Sequence, residues 1–308
     1  MKDLLVDIPG SDSWSSIEFV NKGWSDDKKY HIVNNCGKHL LLRISDKECY
    51  EFKKKEHDIM KLVSKLDFDM TRVRDFGTCN QGIYMVLDWL EGKDLESVIG
   101  DFSIKEQYRL GYESGQILRK IHGIDVDIEP FSWEEKFGKK MDRKLSAYEK
   151  CPLKYENGDV FVNYINESRQ LIVDRPIVFQ HGDYHIGNMI YTKSGHVGII
   201  DFGRFDFGDP WEEFNRIIWD AKSSPPFATG RIDGYFDGNV PNEFFDLLAI
   251  YIANNSISSL PWAIDFGDHE IEVMKRQAEE ILDDFCNFEM STPKWYDANL
   301  KLIYGRHS

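Results

Sequence analysis

Residues 177–203 hold most of the chain's chemistry-bearing side chains in one short stretch, I-V-F-Q-H-G-D-Y-H-I-G-N-M-I-Y-T-K-S-G-H-V-G-I-I-D-F-G. Two apolar runs, 189–191 and 197–200, flank Lys193-Ser194-Gly195 and predict a β-hairpin. Asn188 precedes the first run and Asp201 follows the second. The start of one antiparallel strand lies beside the end of the next, so these two residues should meet although 13 positions separate them. An amide oxygen and a carboxylate suit a transition metal poorly. They suit Mg²⁺ well when phosphate oxygens complete the shell. Asp183, five residues before Asn188, is placed to accept a hydroxyl proton and to aim that hydroxyl at a metal-bound phosphoryl group. The same residues also fit a plain surface hairpin with turn-forming Asp and Asn.

The hairpin needs a frame. Runs 17–20, 29–33 and 39–44 are short and rich in β-branched, aromatic and other apolar residues, with turns at 21–27 and 34–37. A helix is expected over 52–66, because Phe52, Glu56, Ile59, Val63 and Leu66 share one face. Strands near 71–76 and 83–89 follow, with Gly82 between them. After Glu91-Gly92 the pattern turns helical, most clearly over 105–122 and 268–288. The expectation is an α+β chain of two lobes: residues 1–90, a small antiparallel sheet with one helix that binds nucleotide, and 91–308, a larger helical lobe containing the catalytic hairpin and the acceptor site. The hinge falls near 88–92.

The order H-x-D-x-x-x-x-N followed by D-F-G matches the recurring parts of kinase phosphoryl transfer. The upstream lobe offers a separate check. Glu56 lies on an apolar helix stripe, and a buried carboxylate needs a partner. The basic residue inside the third strand is Arg43, so an Arg43–Glu56 pair is expected, with Arg43 also touching the α/β-phosphates of ATP or GTP. Arg in the place of the usual Lys keeps the charge and changes the geometry. The loop 21–27 stands where a phosphate-covering loop belongs. It has a single glycine, Gly23, and with Ser25 it either cradles phosphate or forms an ordinary hairpin turn. Asp88-Trp89-Leu90 falls at the lobe junction, where a nucleobase would meet the backbone of Asp88 and Leu90.

The stretches H-G-D-Y-H-I-G-N-M-I (181–190), I-I-D-F-G-R-F-D-F-G-D-P-W-E-E-F (199–214) and L-G-Y-E-S-G-Q-I-L-R-K-I-H (110–122) resemble the aminoglycoside phosphotransferase family of kinase-like antibiotic phosphotransferases. The resemblance implies a protein-kinase-like fold, Asp183 as the catalytic carboxylate, Asn188 and Asp201 as Mg²⁺ ligands, Glu56 as the partner of Arg43, and His181 as the residue that shapes the catalytic loop. Two departures stand out: the glycine loop is weak, and Glu213 occupies a position where the family often has Asp. The family also includes kinases for choline, homoserine, methylthioribose, fructosamine and macrolides, so it fixes the chemistry better than the acceptor.

Composition narrows the partners. The net charge is −15, from 53 acidic and 38 basic residues, which disfavours nucleic acid and anionic membrane. It suits solubility, or a cationic small molecule if the acid gathers at a cleft. Residues 260–290 carry nine acids against two fixed cations, Lys275 and Arg276, either as a solvated helix face or as an attraction for an aminosugar. Gly208-Asp209-Pro210 begins five residues after Gly203 and reads as a capped helix start. That leaves no room for a long activation loop, so no protein substrate is expected. Segment 225–237, rich in Gly, Pro and aromatics, reads as a loop over the acceptor. Trp211, Trp219, Trp262 and Tyr235 are either sugar-stacking or plain core. The five cysteines are odd in number and lack metal-type spacing, residues 1–20 show no signal-peptide pattern, and 247–264 is too polar and short to span a bilayer. The expected setting is cytoplasmic. The expected activity is transfer of a γ-phosphoryl group to a hydroxyl of an aminoglycoside-type antibiotic. The alternatives are a metabolic kinase for another small alcohol or a macrolide, and a catalytically silent nucleotide-binding module.

Overall fold

The computed structural model describes residues 5–21 and 26–305. In chain order the first elements are β1 (Trp14–Val20), β2 (Lys28–Asn34), β3 (His39–Ser45), α1 (Tyr50–Val63), β4 (Asp69–Met70), β5 (Val73–Cys79), β6 (Gly82–Asp88) and β7 (Gly92–Asp94). Next come α2 (Leu95–Val98), α3 (Ile104–His122), α4 (Trp133–Lys150), α5 (Gly158–Glu167), β8 (Val178–Gln180), β9 (Met189–Thr192), β10 (Val197–Ile199) and β11 (Asp206–Gly208). The chain closes with α6 (Ile217–Ser223), α7 (Pro225–Tyr235), α8 (Asn242–Ala263), α9 (Asp268–Asp284) and α10 (Asn299–Tyr304). By internal contacts it divides into two units. One runs up to Leu95 and includes Asn188–Arg204; the other is Glu96–Gly187 with the residues from Phe205 onward.

In the first unit, β1-β2-β3-β6-β5 form an antiparallel sheet in that order. The period of two in β3 sends Leu40, Leu42 and Ile44 into a core with Ile8, Trp14, Ile32, Tyr84 and Val86. Arg43 therefore emerges on the opposite face. The buried residues of α1 are Lys53, Glu56, Ile59, Met60 and Val63, whereas Phe52 is 45% exposed. The expected stripe is thus rotated at its start: Lys53 takes the inward place given to Phe52, and the helix stops at Val63, short of Leu66.

A second sheet, β4-β10-β9-β7, corrects the placement of the hairpin, which was expected in the residue 91–308 lobe. β10 pairs in parallel with β4, and β9 pairs with β7, so main-chain bonds stitch the hairpin to the first unit. β4 and β7 have two and three residues, too short to show a periodic signal in sequence.

The second unit is mainly helical. α3 starts on an N-cap, in which the Ser103 side chain accepts from the Glu106 N–H. Segment 225–237, expected as a loop, is the helix α7, and Ser224 caps it ahead of Pro225 and Pro226. Proline there suits a first helical turn, which lacks intrahelical acceptors for its N–H groups. Gly230 and Gly234 face α3, where a Cβ would collide with the main chain of Tyr108 and Tyr112. Gly111 and Gly115 of α3 meet Phe227 and Arg231 in the same way. Four glycines let two helix backbones touch, so residues that read as breakers are a packing stripe. The expected helix start at Asp209 is a short 3₁₀ turn over Glu212–Arg216, and Asp209 caps its entry by accepting from the Trp211 N–H at 2.9 Å and the Glu212 N–H at 3.0 Å. α9 ends at Asp284 because Cys286, Asn287 and Phe288 take positive φ. Asn242–Phe266 is long and apolar enough to cross a membrane, more so than its sequence suggested, but 67% of its most apolar window is buried as core.

Candidate active site

The face of β3 opposite that core, together with the buried face of α1, gathers charge in the first unit. Arg43 Nη1 donates to Glu56 Oε1 at 2.5 Å, which forms the expected pair. Two further groups join it. Asp27 Oδ2 accepts from Arg43 Nε at 2.9 Å and from Lys53 Nζ at 2.8 Å, and Lys53 also reaches Glu56 Oε2 at 3.1 Å. Ser45 donates to Asp27 Oδ1 at 2.6 Å. Two cations thus share two carboxylates in a nearly dry place, where any one of them alone would be costly. Burial works to raise the Asp27 carboxyl, but Arg43, Lys53 and Ser45 outweigh it and hold the group at about 2. Burial alone would lower the Arg43 guanidinium; Glu56, Asp27 and Asp201 raise it instead.

The hairpin brings its two ends together as the register requires. The Ile200 N–H donates to Asn188 O at 3.1 Å, one step beyond the Met189↔Ile199 pair, and Asp201 follows directly. Asp201 sits at φ 66°, a left-handed conformation that Asp tolerates better than most side chains. Its carboxylate lies near the charged cluster: a Cβ on Gly203 would stand 3.2 Å from Asp201 Oδ1, 3.5 Å from Glu56 Oε1 and 3.6 Å from Arg43 Nη2. Asn188 and Asp201 present hard oxygen donors of the kind Mg²⁺ takes together with phosphate.

In the second unit a single segment grips the loop 181–186 at three points. Glu213 accepts from the His181 N–H at 2.8 Å and the Gly182 N–H at 2.5 Å. Arg216 is ion-paired with Asp183. Asp220 accepts from the Ile186 N–H at 2.8 Å. Positions 213, 216 and 220 follow helical spacing, so one face of the segment meets the loop in order. Two of the grips are themselves braced. His122 bonds Glu213 at 3.1 Å and the Tyr235 hydroxyl at 2.9 Å. Arg231 pairs with Asp220 at 2.5 Å, and both side chains are fully buried. Burial pushes Glu213 up, yet His122, His181 and the Gly182 N–H hold it below the usual glutamate value. His181 accepts from the Asp183 N–H at 3.3 Å, and His185 Nε2 lies 3.5 Å from Asp183 Oδ1. Gly182, at φ 83°, gives the turn that exposes both N–H groups to Glu213.

Of the other sequence candidates, Gly23 and Ser25 lie outside the described residues. Asp88 closes β6; its N–H donates to Arg72 O and its carboxylate pairs with Lys38 and Arg74. Leu90 follows the ladder and packs against Gly198 of the hairpin. Trp211 and Tyr235 belong to an aromatic core with Phe236 and Phe244, whereas Trp219 stands beside His185 and Arg216. Sequence reasoning did not find Asp27, Lys53 or Arg216, and it met Glu213 only as a departure. The sequence carries only a trace of them: Lys53 lies one helical turn before Glu56, and 213, 216 and 220 repeat at three and four, but neither spacing points to a site until the buried partners are known.

Comparisons with known proteins identify the family and the fold. The APH profile, described as "Phosphotransferase enzyme family", matches residues 16–244. The aminoglycoside 3'-phosphotransferase of Niallia circulans is 26% identical over 214 residues, covering 65% of this chain and 76% of that protein. The GDP complex of wild-type aminoglycoside 2'-phosphotransferase-IIIa superposes with a TM-score of 0.69 at 15% identity, over 90% of this chain and 95% of the other. A thermostable aminoglycoside phosphotransferase APH(4)-Ia in ternary complex with AMP-PNP and hygromycin B gives 0.66 at 16% identity, over 92% and 97%. These structures share the kinase-like α+β fold, and the profile match covers most of the sequence. The chain belongs to the APH family of phosphotransferase enzymes.

Proposed function

We propose that this phosphotransferase moves the γ-phosphoryl group of ATP or GTP to a hydroxyl of a small cationic acceptor of the aminoglycoside type. The observation that carries the reading is the gripped loop that presents Asp183, together with the hairpin that joins Asn188 to Asp201. The acceptor class rests on the Niallia circulans relative and on the acidic composition. Asn188 and Asp201 would hold Mg²⁺, which neutralises phosphate charge when bound. Arg43, braced by Glu56, holds the α/β-phosphates, and Asp183 orients the acceptor hydroxyl and receives its proton. Positioning and charge neutralisation supply most of the rate.

The test is a coupled nucleotide-turnover assay with ATP and GTP, with Mg²⁺, against aminoglycosides, macrolides and small metabolic alcohols. Turnover with an aminoglycoside is expected, and Asp183→Ala should lower it about 10³-fold with nucleotide affinity unchanged. Turnover only with a metabolic alcohol or a macrolide would replace the acceptor. Nucleotide binding without turnover on any acceptor would favour a silent module.

A further inference from the structure

The three grips on the catalytic loop differ in kind. Glu213 and Asp220 hold main-chain N–H groups of residues 181, 182 and 186. Arg216 holds the carboxylate of Asp183 itself. We infer that Arg216 is a positioning residue for phosphoryl transfer: it fixes the rotation and the charge of the Asp183 carboxylate that meets the acceptor hydroxyl. The inference rests on the reading of Asp183 as the acceptor's proton-accepting group.

Three observations support it. First, the Arg216 guanidinium lies over the Trp219 ring, 5.2 Å from its centroid, and the His185 ring meets the same Trp219 edge-on at 4.8 Å. A stacked planar guanidinium has few orientations, so Arg216 is held in one place beside the Asp183 carboxylate. Second, Arg216 and His185 approach the same oxygen, Oδ1 of Asp183. Anchoring one oxygen sets where the other points. A carboxylate with a free χ2 would sample many directions, and a misplacement of about 1 Å at a reacting group costs about 100-fold in rate. Third, the Arg216, Asp183 and His185 side chains are 21%, 12% and 16% exposed, so the pair is shielded from bulk water, where ion pairs are weak. Arg216 also ends the 3₁₀ turn that carries Glu213, so a single rigid segment sets both the loop's path and its carboxylate's aim.

The experiment compares Arg216→Gln and Arg216→Lys with wild type, using ATP and GTP with Mg²⁺. Turnover is read with the acceptor that the assay above identifies and as nucleotide hydrolysis by water, which needs no acceptor. Nucleotide dissociation constants and melting temperatures are measured alongside. Arg216→Gln should lower kcat about 100-fold with the nucleotide Kd within about twofold, and Arg216→Lys should restore about tenfold of that loss, because an ammonium keeps the charge without the planar fork. A folded Arg216→Gln with kcat within about threefold of wild type overturns the inference. So does a loss that appears wholly in nucleotide Kd, or a Lys variant no better than Gln. If Asp183→Ala retains full turnover, the reading of Asp183 fails instead. A dead Asp183→Ala beside an unaffected Arg216→Gln removes only the role of Arg216.

Discussion

The two charged clusters of this enzyme are built by opposite means. In the first unit, side chains balance side chains: Arg43 and Lys53 share Asp27 and Glu56, and none of the four is held by the main chain in that exchange. In the second unit, buried carboxylates hold a loop by its backbone: Glu213 takes two N–H groups and Asp220 one. On the proposed function, the difference follows from what each would present. A phosphate site needs positive charge kept soluble in a dry interior until an anion arrives, so its counter-charges must be mobile or shareable. A proton-accepting carboxylate needs direction, so its loop is pinned where it cannot swing. Charge balance and geometric fixation are separate problems, and this chain solves them on separate elements.

The largest test of that contrast removes one carboxylate from each side. Glu213→Ala strands the buried His181 N–H at about 1–3 kcal/mol, releases the half-buried Gly182 N–H and frees the loop, so kcat should collapse while nucleotide Kd stays near wild type. Glu56→Ala leaves Asp27 as the hydrogen-bonded carboxylate that Arg43 and Lys53 must share, with Asp201 acting on Arg43 only from a distance. Its effect should fall mainly on nucleotide Kd, through a misdirected Arg43, and on stability by up to about 3–5 kcal/mol. Steady-state kinetics with direct nucleotide titration separates the two. If both variants change the same parameter, the division of labour is wrong.

A smaller effect tests the frame behind the loop. Gly234→Ala places a carbon against the Tyr112 main chain, where neither helix has a side chain that can yield. Overpacking of this kind costs about 1–3 kcal/mol, read as a lower denaturant midpoint. Arg231 and Tyr235 ride on the same helix and brace Asp220 and His122, so a modest loss of kcat should accompany it. An unchanged midpoint would mean that α3 and α7 slide apart freely and that the glycine stripe is incidental.

These regions were also unequally legible. The hairpin could be read because a two-residue period and a turn leave one register, and the register alone brings Asn188 to Asp201. Arg43–Glu56 could be read because a carboxylate on an apolar stripe demands a partner. Lys53 could not, since a lysine on a helix reads as solvated unless its buried acid partners are known. Asp27 sits at the edge of a loop whose turn residues carry no directional signal. Helix α7 was hidden by its composition: Pro225 and Pro226 start a helix as well as they break one, and Gly230 and Gly234 serve a neighbour that only the fold supplies. Arg216 lies in a 3₁₀ turn too short for periodicity to show which way it faces.

The smallest predicted effect isolates Asp27. Burial opposes its charge, but Arg43, Lys53 and Ser45 bring its pKa from 3.8 to about 2 in the folded protein. A folded-state value below the unfolded one means that the carboxylate stabilises the fold at pH values above the unfolded pKa, and that this contribution drains away as pH falls from about 4 toward 2. Asp27→Asn should therefore be less stable than wild type near neutral pH, and the gap should narrow across that acid window. Chemical denaturation near pH 7, 4 and 3 measures it. A gap that stays constant would assign Asp27 to hydrogen bonding with Ser45 rather than to charge, and the first unit would then resemble the second, with groups held by geometry alone. A gap that closes keeps the contrast, because the charge of Asp27 is then what balances Arg43 and Lys53 while no phosphate is bound.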